Sequence, residues 1–313
     1  MKTSQGSLHT HSSKIYNFKS FKVIEPLSES ADPVYKVLST ENGQIYALKI
    51  FQYEKDSISR FFANESRFTT IRHPNIIKYL HWVANEMGGS DSNPRKFSYI
   101  LMEYAPYGDF TSLIMNYPFY ADEKLVRTYF HQLIEGVHYL HSNKVYHLDL
   151  KLDNMLLGEN YVLKIADFDI SCRKGDQIIV GNGTANYRAP EVRDRGVVDP
   201  AASDIYSLGI ILFIMMMGHY PYSEKSSHVL FDGLWDLMLA GDEKFWNVHA
   251  KIRSLANIPE SFKSLFQAMT KANPSERATI RQVKRSQWYL GPTYTQKELE
   301  SVMKELLSQG KVT

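Results

Sequence analysis

An aspartate, a lysine two residues on and an asparagine five residues on share one short stretch, His147-Leu148-Asp149-Leu150-Lys151-Leu152-Asp153-Asn154. That set suits phosphoryl transfer to a hydroxyl. The Asp orients the attacking group and accepts its proton, the Lys stabilises charge on the moving phosphoryl, and the Asn holds a metal ion. A second aspartate, Asp167 in Asp167-Phe168-Asp169, comes just past a predicted strand, where it would hold Mg²⁺ against phosphates.

These residues need elements to position them. Leu125, Tyr129, Leu133 and Val137 recur at helical spacing ahead of the loop, joined by Val126, Phe130 and Ile134, with Asp122 as the N-cap. After the loop, Met155–Leu157, a Gly158-Glu159-Asn160 turn and Val162–Ile165 read as a hairpin that delivers Asp167. Upstream, residues 18–104 are mostly strand-like, with one helical segment over Ser59–Thr70 and a polar loop over Asn85–Pro94. In Ile45-Tyr46-Ala47-Leu48-Lys49, alternation puts Ile45, Ala47 and Lys49 on one face. The run Leu208–Met217 is too short to span a bilayer and is apolar all round, which suits a helix buried in protein. The segment Thr295–Leu307 is amphipathic and predicts a helix packed on the rest of the chain, with a docking or autoinhibitory helix as the sharper alternative.

Taken in order, these stretches resemble the protein-kinase family over roughly residues 18–291. Tyr46-Ala47-Leu48-Lys49-Ile50 is similar to the strand whose Lys grips the α and β phosphates, and Glu65 would pair with that Lys. Met102-Glu103-Tyr104-Ala105 with Gly108-Asp109 resembles the hinge. Gly183–Glu191 resembles the end of the activation segment, Asp204–Gly209 the start of the buried central helix, and Arg277 the late Arg that pairs with Glu191. The resemblance implies an α+β, two-lobed fold: a small antiparallel β lobe with one main helix over 18–104, and a mainly helical large lobe over 105–292. A disordered tail over 1–14 and an amphipathic tail over 293–313 would flank it. It also implies ATP between the lobes with Mg²⁺, or Mn²⁺, held by Asn154 and Asp167. Leu27, Ala47, Met102 and Leu156 would line the adenine site, the Glu103 and Ala105 backbones would read the base edge, and Asp109 would serve the ribose. Lys151 and Thr184 mark a serine/threonine acceptor. Asp109, Asp153 and Asp236 resemble acids that favour Arg two or three residues before the acceptor. The Phe245-Trp246 pair is most similar to the calcium/calmodulin-dependent group.

The departures are as informative as the matches. Leu148 replaces the Arg that usually reads an activation-segment phosphate, and Asp167–Glu191 has hydroxyls only at Ser171, Thr184 and Tyr187. Activity without activation-segment phosphorylation is therefore expected. The phosphate-covering loop, Leu27-Ser28-Glu29-Ser30-Ala31-Asp32-Pro33, contains no glycine, and Asp169 stands where the family has Gly. Those two features support the rival expectation, a pseudokinase that binds or scaffolds.

The chain has 313 residues, 43% of them hydrophobic, enough for a sizeable core. A net charge of +2 gives no strong field toward nucleic acid or membrane, so neither is an expected partner. The single cysteine, Cys172, excludes an intramolecular disulfide framework, and with no long apolar run near the N-terminus the expected compartment is cytoplasmic.

Overall fold

A computed structural model describes residues 18, 20–28, 30–53, 57–90, 93–176, 183–194, 198–222, 233–255 and 257–309. The expected tail over 1–14 and Glu29 of the glycine-free loop lie outside the described residues. The chain divides into two compact units: residues up to Thr70 with Lys78–Tyr104, and Ile71–Ile77 with everything from Ala105 onward.

Period-two alternation builds the first unit. Its strands are β1 (Phe21–Ser28), β2 (Val34–Ser39), β3 (Ile45–Gln52), β4 (Tyr79–Ser90) and β5 (Asn93–Glu103). They form one antiparallel sheet in the order β1-β2-β3-β5-β4. Tyr35, Val37, Leu48, Ile50, Phe97, Tyr99 and Leu101 gather with Phe18 in one apolar cluster. Ala47, Lys49 and Phe51 alternate with these residues and so turn to the other face. There α1 (Arg60–Glu65), capped by Ser59, sets Phe62 edge-on between Phe51 and Trp82, with ring centroids at 5.5 and 6.0 Å. The helix is shorter than its apolar pattern predicts. Beyond Glu65 the chain tightens into a 3₁₀ turn over Ser66–Phe68.

Of the polar loop expected over Asn85–Pro94, residues 85–90 and 93–94 are instead strand at the far end of a long hairpin, and 91–92 lie outside the described residues. Met87 pairs with Lys96, Gly88 with Arg95 and Gly89 with Pro94. Gly, Asn and Ser in that run read as a loop, but each carries the main-chain N–H and C=O that a ladder needs. The register shifts between Val83 and Glu86, where Asn85 takes φ 61°, a left-handed value that Asn tolerates better than most residues.

The second unit is mainly helical. After α2 (Phe110–Asn116) and α3 (Glu123–Ser142) come short strands β6 (Val145–Tyr146), β7 (Met155–Leu157), β8 (Leu163–Ile165) and β9 (Cys172–Arg173). Then follow α4 (Pro190–Arg193), α5 (Pro200–Met217), α6 (Leu234–Ala240), α7 (Glu243–Ile252), α8 (Glu260–Met269), α9 (Ile280–Val283) and α10 (Gln296–Ser308). Asp122 caps α3 by accepting from the Leu125 N–H at 3.0 Å. Strands β7 and β8 pair as an antiparallel hairpin.

Ile71–Ile77 belongs to this unit because its backbone is woven into it. Ile77 N–H donates to Ile165 O at 2.8 Å, and Ile165 N–H to Asn75 O at 2.9 Å. Gly136 of α3 permits that approach, since a Cβ there would meet Ile165 Cδ1 at 2.7 Å and Asn75 O at 3.2 Å.

Helix α5 is long and apolar enough to cross a membrane, yet 83% of it is buried inside the protein. It is the axis of the core: Phe213 meets Phe245, Trp246, Phe262 and Phe266. Helix α10 packs Leu299 and Met303 inward, and Gln296 Nε2 donates to Asn160 O at 2.7 Å.

One buried titratable pair lies beside Phe213. Pro221 O can only accept, so His249 donates through Nε2, at 3.1 Å, and its Nδ1 accepts from His219 Nε2 at 2.9 Å. Burial, then the neighbouring His219, lower the His249 pKa from 6.5 to about 3. The unfolded chain therefore binds a proton below about pH 6.5 that the folded protein refuses. Stability should fall as pH drops from there toward 3, by up to about 1.4 kcal/mol per pH unit from this group. Thermal midpoints between pH 7.5 and 4 check this. His249→Asn should flatten the acid slope, and equal slopes in both proteins would reject the assignment.

Candidate active site

In the first unit β3 carries Lys49 and α1 ends at Glu65. Lys49 Nζ meets Glu65 Oε2 at 2.7 Å, and both residues are buried. The other carboxylate oxygen, Oε1, accepts from Tyr79 OH at 2.6 Å. Ala47 and Met102 are cross-strand partners, while Leu27, at the end of β1, is 43% exposed. Glu103 is tied through its N–H to Lys78 O at 3.0 Å, and its Oε1 accepts the Lys78 N–H at 2.8 Å. The loop between β1 and β2 is closed by side chains: Ser28 and Ser30 hydroxyls lie 3.2 Å apart, and Ser30 Oγ donates to Asp32 O at 2.8 Å.

In the second unit four groups converge on the Asp149 carboxylate. Oδ1 accepts from Thr184 N–H at 2.8 Å and Thr184 Oγ1 at 3.0 Å. Oδ2 accepts from Lys151 Nζ at 2.7 Å and Asn154 Nδ2 at 3.3 Å. Lys151 also donates to Thr184 Oγ1 at 2.9 Å. Burial pulls the Lys151 pKa down, but the carboxylates of Asp149, Asp167 and Asp153 more than offset it, so the ammonium is held above its ordinary range.

Local backbone strain accompanies this cluster. Leu148 sits at φ 65° and Asp167 at φ 70°, left-handed values that cost a non-glycine residue roughly 1–3 kcal/mol each. Asp204, at the buried start of α5, holds the first in place. Its Oδ1 accepts Leu148 N–H at 2.8 Å, and its Oδ2 accepts His147 N–H at 3.0 Å and bonds His141 Nε2 at 2.8 Å. Asp169 lies outside the left-handed region, so its backbone has no need of the glycine the family carries there.

The remaining sequence-selected residues are spread through the same unit. Asp109 and Leu156 form an isolated antiparallel bridge, and both Asp109 oxygens are engaged by Ser112, N–H at 2.8 Å and Oγ at 2.9 Å. Asp109 is thus the N-cap of α2. Ala105 follows the end of β5 in sequence and begins the second unit. Asp153 and Asp236 are exposed, on a 3₁₀ turn and in the first turn of α6. Glu191 and Arg277 form a two-pronged pair at 2.8 and 3.0 Å. Phe245 and Trp246 are core residues of α7.

Three residues with geometric roles escaped the sequence reading. His147 is fully buried and braces the loop, bonding Ala166 O through Nε2 at 3.0 Å and accepting Asp149 N–H at Nδ1, 3.3 Å. Tyr79 holds Glu65. Arg188 donates through Nε to Gly183 O at 2.7 Å, with Nη2 on the same oxygen, pinning the residue before Thr184. None carries a signal by itself. His147 lay inside the motif, but its partner Ala166 is a backbone carbonyl, which no spacing records.

Mg²⁺ takes hard oxygen donors, and Asn154 and Asp167 carry such oxygens. Among the described residues no group of three or more His, Cys, Asp or Glu is placed to cage an ion. Two protein oxygens suit an ion that keeps waters and phosphates as its other ligands.

A β unit with a buried Lys–Glu pair and a helical unit with an Asp-centred loop, a braced Leu148 and a Glu191–Arg277 clamp together define the protein-kinase fold. The protein kinase domain model matches residues 30–289, and the chain belongs to that family. CBL-interacting protein kinase 26 of Oryza sativa subsp. japonica is 31% identical over 265 residues, 82% of this chain and 49% of that protein. CBL-interacting serine/threonine-protein kinase 8 of Arabidopsis thaliana is 31% identical over 260 residues, 80% of this chain and 53% of that protein. The chain thus spans about half the length of these relatives.

Proposed function

We propose that this chain is an ATP-dependent serine/threonine protein kinase that transfers the γ-phosphoryl to a protein hydroxyl. The observation that carries the reading is the Asp149 carboxylate held by Lys151, Thr184 and Asn154. Asp149 accepts the proton of the attacking Ser or Thr hydroxyl. Thr184 fixes one carboxylate oxygen, which leaves the group a defined direction in which to accept. Lys151, kept charged by three carboxylates, neutralises the transferring phosphoryl. Lys49, oriented by Glu65, serves the nonreacting phosphates. Asn154 and Asp167 would hold Mg²⁺, which neutralises phosphate charge when bound. Binding without transfer is a second reading, favoured only by the glycine-free loop over Ser28–Pro33. Metal-dependent ATP turnover and peptide phosphorylation by purified protein, with Asp149→Asn as control, separates the two.

Acidic residues support a basic preference upstream of the acceptor. With Asp109 committed to capping, the exposed Asp153 and Asp236 are the carboxylates that remain for an Arg guanidinium.

Leu148 supports activity independent of activation-segment phosphorylation. A leucine has no charge with which to read a phosphate, and its strained backbone is held by Asp204. Phosphatase-treated protein should keep most of its rate. A large loss that returns on rephosphorylation within 170–187 would overturn this.

A further inference from the structure

Glu65 has two carboxylate oxygens, and a different element of its unit supplies a donor to each. Lys49 of β3 takes Oε2 at 2.7 Å, and the Tyr79 hydroxyl at the start of β4 takes Oε1 at 2.6 Å. Glu65 and Tyr79 are each only 1% exposed. A hydroxyl donating to a carboxylate this deep in protein makes a strong, directional bond.

The helix that bears Glu65 needs such a tie. α1 spans six residues, too few for a helix to persist on its own hydrogen bonds. Phe62 anchors its apolar side between Phe51 and Trp82, but ring packing fixes where the helix lies and leaves the Glu65 carboxylate plane free to turn. Without the hydroxyl, Glu65 could rotate about its side-chain bonds and carry the Lys49 ammonium with it.

We propose that Tyr79 is a positioning residue for nucleotide binding: its hydroxyl locks the Glu65 carboxylate so that Lys49 is presented to phosphate already oriented. The inference rests on the reading of Lys49 as a phosphate ligand. It also gives the first unit an internal means of holding α1.

Tyr79→Phe removes one oxygen and keeps the buried ring. The ATP KM and the calorimetric Kd for ATP should both rise about tenfold or more, the scale of a hydrogen bond to a charged group. The kcat should change much less, and the thermal midpoint should stay within a few degrees. Glu65→Gln should raise KM similarly, and adding Tyr79→Phe to it should cost little more, because the two act as one unit. Unchanged ATP affinity in Tyr79→Phe, alongside weakened binding in Lys49→Met, would overturn the role of Tyr79 alone. Normal ATP affinity in Lys49→Met would overturn both. A lowered thermal midpoint with unchanged KM would reduce Tyr79 to a packing residue and equally reject the proposal. Additive losses in the double variant would count against it too.

Discussion

Asp149→Asn should lower phosphoryl transfer by about 10²–10⁴-fold while leaving ATP affinity close to normal. The substitution is nearly isosteric, so its effect is chemical. Asparagine cannot take up the proton of an attacking hydroxyl. It also replaces one acceptor oxygen with an NH₂ donor in a place where the neighbours are donors. Thr184 N–H and Oγ1 approach one oxygen, and Lys151 Nζ and Asn154 Nδ2 approach the other. Whichever way the amide turns, two of these contacts lose their acceptor. Turned one way, the amide leaves Lys151 with only its Thr184 bond; turned the other way, Thr184 loses its anchor instead. Lys49 and Glu65 lie on other elements and keep their own pairing, so nucleotide affinity is the internal control. Steady-state kinetics and calorimetry on the same preparation check both halves. A variant that keeps more than a tenth of the wild-type rate would show that the proton goes elsewhere.

Much of this site was legible because its residues are close in sequence. Asp149, Lys151 and Asn154 are separated by loop spacing alone, and the sheet's alternation put Lys49 opposite Leu48 and Ile50 without any tertiary information. The α3 spacing likewise gave both the buried face and the Asp122 cap. What escaped depended on partners distant in the chain or on backbone atoms. Nothing in the sequence around Tyr79 marks its hydroxyl as the partner of a glutamate in α1. The strained Leu148 is stable only because Asp204, at the start of α5, offers two oxygens to consecutive backbone N–H groups. Ile71–Ile77 has no periodicity of its own, and its place follows from a glycine in α3 that leaves room for it. The β4–β5 hairpin was hidden by composition, since glycine and asparagine are rare in strands, yet they carry the main-chain groups that a ladder pairs.

Arg277→Met should destabilise the protein by about 3–5 kcal/mol, the usual cost of removing one partner of a buried ion pair. The Arg277 side chain is fully buried and that of Glu191 nearly so. Besides the two bonds to Glu191, the guanidinium donates to Ala202 O at 2.8 Å and to Lys271 O at 3.0 and 2.9 Å, and lies 5.1 Å from the Tyr206 ring centroid. One side chain therefore joins α4, α5 and the segment after α8. Methionine fills much of the volume but satisfies none of these acceptors, and it leaves the Glu191 carboxylate buried without its cation. Lysine would restore the charge but not the fork, so Arg277→Lys should recover only part of the loss. The orphaned charge is the larger share of the cost, which makes the double variant informative. Glu191→Gln with Arg277→Met should be more stable than Arg277→Met alone, because neutralising the carboxylate removes the penalty of burying it unpaired. Urea midpoints for the four proteins test the ordering. A loss under 1 kcal/mol for Arg277→Met, or a double variant less stable than the single one, would mean that the pair contributes through packing and not through charge.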